Sequence, residues 1–383
     1  MTRVPVNPEL ITWAHEHAGR EPLELRGQFP RLAEWESGEV QPTLRQLEDF
    51  ARAVHVPVGY LFLPAPPVEA LPIPDFRTLG DRDVSRPSPN LLDTLYLCQQ
   101  SQAWYRDHTR LQGLAPVAFV GSAQAGRDVV EVADRLREAL GLSVAERQRL
   151  PSWTAALRQL VARAEEAGVL VMASSIVGSN SDRERDVAEF RGFALVDDLA
   201  PLVFINAAGS KAAQMFTLAH ELAHLWLGAS GVSDVEAGCL PDQDVERWCN
   251  RVAAEVLMPL EETHESHQPG IAVLNEIQRL AQRFKVSTLV ALRRLFDGGL
   301  IDQGTLGACY RQELDRIRAL DRGGSGGGDF DRTLGARTGR RFARAVMSST
   351  LEGQTLFQDA FRMLGVRKTA TLDEAARAMG VML

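Results

Sequence analysis

The sequence predicts an α+β fold, mostly helical, in which a small β-sheet packs on a helix pair and further helical units flank it. Two observations predict this. Apolar residues recur at helical spacing along most of the 383 residues. Only the window from 168 to 206 changes period, with short β-rich runs bounded by Gly, Asp and Asn. The length itself exceeds what one hydrophobic core usually fills, so several structural units are expected. A hydrophobic fraction of 45% with 24% charged residues excludes a disordered or fibrous chain.

Taken in order, residues 1–75 read as a short helical unit closed by a connector. Leu44, Leu47, Phe50, Ala51 and Val54 line one helix face behind a turn at Trp35-Glu36-Ser37-Gly38. This stretch resembles the second half of an Xre-type helix-turn-helix. The first half departs from that pattern: little chain separates Leu23 from Trp35, and Pro30 falls where a reading helix would begin. Residues 1–64 hold six Arg against nine acidic residues, a balance that suits protein docking better than phosphate contact. Pro64 to Pro74 is proline-rich, hence extended and semi-rigid.

Residues 76–150 are expected to be helical. A long amphipathic helix runs over 89–111 (Leu91, Leu92, Leu95, Leu97, Trp104, Tyr105) and a second over 126–139. The third unit, 151–300, opens with a helix to Glu166, followed by three strands near 168–173, 190–196 and 201–206. A helix from about Ser210 to Gly228 follows, then a Gly- and Asp-rich loop, a helix from Asp244 to Met258 stopped by Pro259, and two more over 271–284 and 287–296. Residues 301–329 combine a helix with a Gly-rich linker at Gly323 to Gly328, and 330–383 form a basic helical module. That module carries nine Lys/Arg against five Asp/Glu, leaving −12 of the net −8 on the remainder. Its Phe330 and Phe342 beside the basic cluster admit a nucleic-acid surface, and helical packing explains them equally well.

The chemistry lies in His220-Glu221-Leu222-Ala223-His224. Two His at i and i+4 project from one helix face and can share one zinc, with the Glu between them beside the open position. Five residues are a short motif, so context has to decide. Met215, Leu218, Leu222, Leu225 and Trp226 take the opposite face, and Gly228 suits a C-terminal cap. Catalytic zinc needs a third protein ligand. Asp234, Glu236, Asp242, Asp244, Glu246, Glu255, His264 and His267 are available. Glu246 is preferred, because it opens a second helix whose Trp248, Val252, Val256 and Leu257 form a core face. Asn250, one turn on, is placed to support a ligand. His264 and His267 are expected in a solvent-facing loop beyond Pro259. The expected centre is therefore a gluzincin-like core binding Zn2+ through His220, His224 and Glu246, with Glu221 as the catalytic base. No residue stands out to stabilise the oxyanion; Tyr310 or an Arg is a candidate.

Phe216-Thr217-Leu218-Ala219-His220-Glu221-Leu222-Ala223-His224 and the run from Glu246 to Pro259 resemble the ImmA/IrrE family of bacterial metallopeptidases, over about 168–298. The resemblance implies Glu246 as third zinc ligand, a structural role for Glu255, and an Xre-type repressor as protein substrate in a stress or mobile-element response. It also implies an alternative, a non-proteolytic regulator or antitoxin that binds a toxin partner or DNA. Pro201 to Asn206 is expected to be an exposed strand to which a substrate segment adds. The four cysteines (Cys98, Cys239, Cys249, Cys309) form no Cys-x-x-Cys pair, and no apolar run reaches membrane-spanning length, so a cytoplasmic setting is expected.

Overall fold

The computed structural model describes residues 3–19, 22–75, 87–233, 244–321 and 334–381. Its contacts divide the chain into two units, one of Met1–Pro72 with Asp83–Tyr96 and one of Ile73–Arg82 with Leu97–Leu383. The Gly-rich linker and Phe330 lie outside the described residues.

The first unit contains α1 (Pro8–His17), α2 (Pro22–Gln28), α3 (Leu32–Glu36), α4 (Leu44–Ala53) and a 3-10 turn, Val58–Phe62. Thr43 caps α4 with a capping box to Gln46, which satisfies two of the amides that a helix start leaves open. Leu10, Leu25, Leu32, Leu47 and Phe50 are fully buried, and Trp35 meets Phe50 edge-on. The element after Pro30, α3, spans only five residues, so the shortening read from the sequence is present in the fold.

Helix α5 (Pro89–Leu111) runs as predicted, although Leu97, expected on its packing face, is 41% exposed. Gln102 ties its second half to the sheet domain by donating to the carbonyls of Leu195 and Ala200, each at 2.9 Å. Then come α6 (Val129–Ala139), α7 (Val144–Gln148) and α8 (Trp153–Glu166). The strands are β1 (Leu170–Ser174), β2 (Ile176–Val177), β3 (Asn180–Glu184), β4 (Gly192–Leu195) and β5 (Leu202–Asn206). After them follow α9 (Lys211–Leu227), β6 (Gly231–Ser233), α10 (Asp244–Leu257), α11 (Leu260–Ser266), α12 (Val273–Phe284), α13 (Thr288–Asp297) and α14 (Gln303–Asp321).

The main sheet has the order β1-β5-β4-β6, with β1 and β5 parallel and β4 antiparallel to both neighbours. Strand β5 is thus central and buried along its whole length. This corrects the expectation that Pro201 to Asn206 is an exposed edge. From Leu202 to Ile205 its side chains are apolar on both faces, and Phe193 of β4 stacks on Phe204 at 5.1 Å. The edges are β1 and β6. The β2–β3 hairpin and β6 were not anticipated from sequence.

Helices α15 (Leu334–Thr338), α16 (Arg340–Leu351), α17 (Phe357–Leu364) and α18 (Thr369–Ala378) build the C-terminal module. It seats on β1. Gly339 lies so close to the strand that a Cβ there would stand 2.7 Å from the Val171 carbonyl oxygen, and its φ of +77° suits glycine. Arg341 donates its backbone N–H to Glu165 Oε1 and its guanidinium to the Glu165 carbonyl and the Tyr105 hydroxyl. Phe342 is fully buried against Trp104 and Tyr105, so this ring serves packing. No helix among the described residues is long and apolar enough to cross a membrane.

Candidate metal centre

Helix α9 starts where the Ser210 side chain accepts from the Ala213 amide, and it ends at Gly228, whose φ of +70° is the left-handed cap the sequence suggested. Gln214 through Trp226 are all buried. The expected two-faced helix is therefore enclosed on every side, because β4 and β5 cover one flank while α8 and α10 cover others. Helix α10 lies along α9 and brings Glu246 to the two histidines. His220, Glu221, His224 and Glu246 are each 0% exposed.

The histidine Nε2 atoms stand 3.0 Å apart. Glu246 Oε2 lies 3.2 Å from His220 Nε2, and Oε1 lies 2.9 Å from His224 Nε2. Asn250 Oδ1 is 3.0 Å from His220 Nδ1 and accepts its proton, which leaves Nε2 of the neutral ring as a lone pair turned toward Glu246. Both Glu246 oxygens are buried without a hydrogen-bond donor. Lone pairs and a carboxylate therefore converge on one point, an arrangement that is repulsive in a dry site unless a cation fills it. Ligand atoms about 2.0–2.1 Å from a tetrahedral zinc are about 3.3 Å apart, so the observed spacings fit that ion. Burial alone would raise the Glu246 carboxyl, but when protons rather than a metal ion occupy the cluster, the charge and N–H groups of His220 and His224 reverse this and hold it at about 2. Burial pushes the His224 imidazole down; at His220 burial is again the largest single influence, but the charges of Glu246 and Glu221 and the hydrogen bonds to Glu246 and Asn250 together outweigh it and raise the imidazole.

Glu221 sits beside this cluster and is oriented by residues from the sheet. Ser233 Oγ donates to Glu221 Oε1 at 2.9 Å, whereas Oε2 is buried without a partner. Gly192 on β4 leaves the necessary room: a Cβ there would stand 3.1 Å from Glu221 Oε1 and 2.6 Å from Thr217 Cγ2. Burial pushes the Glu221 carboxyl up to about 8, with Glu246 adding to the rise and His220 and Ser233 opposing it.

The remaining ligand candidates go elsewhere. Asp244 is exposed and paired with Arg247. Glu255 is buried against Arg294 and accepts from the Leu260 amide. His264 is exposed as expected but lies on α11 rather than in a loop. His267 is half-buried and paired with Glu276 at 3.2 Å, which corrects its placement toward solvent. Tyr310 lies on α14, packed against the core. Asp234, Glu236 and Asp242 fall outside the described residues. Ser233 and Gly192 were missed. A glycine inside a β-rich run was a usable signal of close approach; a lone serine was not.

Residues 164–296 match the IrrE N-terminal-like domain, a peptidase family model. The chain therefore carries an IrrE-like peptidase domain with a His, Glu, His zinc-binding arrangement. The match coincides closely with the stretch whose motifs carry the resemblance. Residues 338–378 match a domain of unknown function, DUF8813. No curated protein matches the chain.

Proposed function

We propose that the chain is an intracellular zinc-dependent endopeptidase that cuts a specific protein partner, an Xre-type transcriptional repressor, in a stress or mobile-element response. The observation that carries this reading is the convergence of His220, His224 and Glu246 on one point with Glu221 beside it. His220, His224 and Glu246 would hold the zinc, and Asn250, accepting from His220 Nδ1, favours the tautomer whose Nε2 lone pair is free to bind the metal. Zinc, when bound, supplies a Lewis acid that polarises a carbonyl and brings the pKa of water near 7. A cation next to Glu221 also favours its ionised form. With Oε1 tethered to Ser233, Glu221 is left Oε2 to take a proton from the attacking water and return it to the leaving amine nitrogen. The enclosed site excludes bulk water, which strengthens each of these charge interactions.

Glu221→Gln keeps the three zinc-facing residues and removes the base. Zinc content by elemental analysis stays at wild-type level while cleavage of the captured partner falls about 10²–10⁴-fold, the usual worth of a general base. Cleavage at the wild-type rate would refute the assignment. The complete burial of the four side chains favours a second reading, in which the chain is a regulator or antitoxin that binds a toxin partner or DNA without cutting. Capture of a partner that is unaltered in mass by wild-type and Glu221→Gln protein alike selects it, and a salt-dependent DNA shift selects its DNA-binding form.

A further inference from the structure

Helix α16 opens with Arg340 and Arg341, carries Arg344 one turn on, and has no acidic residue in its first turn. Cations there face the positive end of the helix dipole, and two of them at i and i+4 repel one another, so the sequence breaks two local rules at one place. The three arginines line a cavity of about 390 Å³ together with Ala162, Glu165 and Glu166 of α8. Both carboxylates in it are committed elsewhere. Glu165, 8% exposed, accepts the Arg341 backbone N–H at 3.0 Å, and Glu166 accepts from Arg163 at 3.1 Å. Arg341 is anchored, its guanidinium donating to the Glu165 carbonyl and the Tyr105 hydroxyl, each at 2.8 Å. The Arg340 stem lies across α15, where a Cβ on Gly335 would stand 3.1 Å from its Cγ. Arg340 and Arg344 are exposed, and among the described residues neither side chain donates a hydrogen bond or forms an ion pair; Arg340 acts on the Glu165 carboxylate only through space.

We infer that the cavity between α8 and α16 is a binding site for a phosphate group, free or carried by a small molecule, held by Arg340 and Arg344 with Arg341 beside them. Charge and shape both favour this ligand. Two guanidiniums without a carboxylate partner match the −1.5 to −2 charge that a phosphate monoester carries near neutral pH. Their planar forks suit its tetrahedral oxygens, and an anion between them turns a like-charge repulsion into two charge-assisted contacts. The volume lies within the range of small-ligand sites, and a phosphate with a modest appendage fills it. Glu165 falls in the IrrE-like match and the arginines in the DUF8813 match, so a bound phosphate ties one to the other. The site is separate from the zinc centre and does not depend on whether that centre cuts.

The test titrates the full-length protein calorimetrically with inorganic phosphate and with adenosine monophosphate as a phosphate monoester, and follows Tm with each. Both ligands are expected to bind and to raise Tm. Equal affinity identifies free phosphate as the ligand, and tighter binding of the monoester identifies a phosphorylated small molecule. Arg340→Gln with Arg344→Gln leaves Arg341 and Glu165 in place and weakens binding about 10- to 100-fold, the worth of lost hydrogen bonds to a charged group. Without ligand the double variant melts at or above the wild-type temperature, because it loses a repulsion and no bond. A lower Tm would show that the two arginines hold the fold, and it overturns the inference. So does a wild-type protein that binds neither ligand, or a double variant that binds them as the wild type does. Tighter, arginine-dependent binding of a single-stranded oligothymidylate without a terminal phosphate assigns the surface to a nucleic-acid backbone and overturns it as well.

Discussion

Replacing Gly192 by Ala tests how closely the sheet must approach the zinc helix. The added methyl would stand 2.6 Å from Thr217 Cγ2, 2.9 Å from the Phe204 carbonyl oxygen and 3.1 Å from Glu221 Oε1. Carbon atoms in contact prefer about 3.5–4.0 Å, so β4 and α9 have to part by up to about 1 Å. The carbonyl belongs to the neighbouring strand and has no rotamer by which to move away. Overpacking of this kind costs about 1–3 kcal/mol. For a cooperative unit of 150–250 residues each kcal/mol lowers Tm by about 2–4 °C, so a fall of about 2–12 °C is expected by calorimetry. Thr217→Ser removes the nearest atom and leaves the carbonyl clash, so the double variant recovers part of the loss, with a coupling of about 0.5–3 kcal/mol. The methyl's nearest neighbours include Glu221 but neither histidine nor Glu246. Cleavage therefore falls while zinc content holds. A Gly192→Ala protein with wild-type Tm and wild-type cleavage refutes the reasoning.

Three further outcomes follow from the packing around the site. Arg294→Met strands Glu255 in the core, where their ion pair is buried on both sides, and urea denaturation should show about 3–5 kcal/mol lost, much of it restored by adding Glu255→Gln. Burial would raise the Glu276 carboxyl, but Arg279, the Gln268 amide and His267 hold it below the ordinary value. Its stabilisation is thus present above the unfolded pKa of about 4.3 and lost as pH falls through the folded value, so Glu276→Gln flattens the acid limb of a stability–pH curve. Gly339→Val forces a branched side chain onto the Val171 carbonyl at positive φ, and limited proteolysis should release the C-terminal module faster than from wild type.

The zinc cluster was legible because its spacing is helical. His220 and His224 are one turn apart, Glu246 and Asn250 repeat that spacing on the next helix, and an i, i+4 pair keeps its geometry whatever surrounds it. Ser233 had no such signal. It lies 12 residues from Glu221 on a three-residue strand, too short for any alternation to register, and only the pairing of β6 with β4 brings it to the carboxylate. The IrrE-like stretch was bounded closely for the same reason as the helices, since its motifs sit on regular elements.

Strand order is the property that local pattern expresses least, and it governs where a substrate can bind. Leu202 to Ile205 is an unbroken apolar run, which is how a strand buried on both faces reads, so its own composition argues for a central position. Reading it as an edge placed the docking strand on the wrong side of the sheet. Once β5 is central, the edges fall to β1, which the C-terminal module covers, and β6, which touches the proline-rich connector through Pro74. The two segments whose composition looked least like peptidase machinery, the basic tail and the connector, thereby meet the sheet at its two edges. Of these two contacts, the one on β6 adjoins Ser233, the residue that holds Glu221.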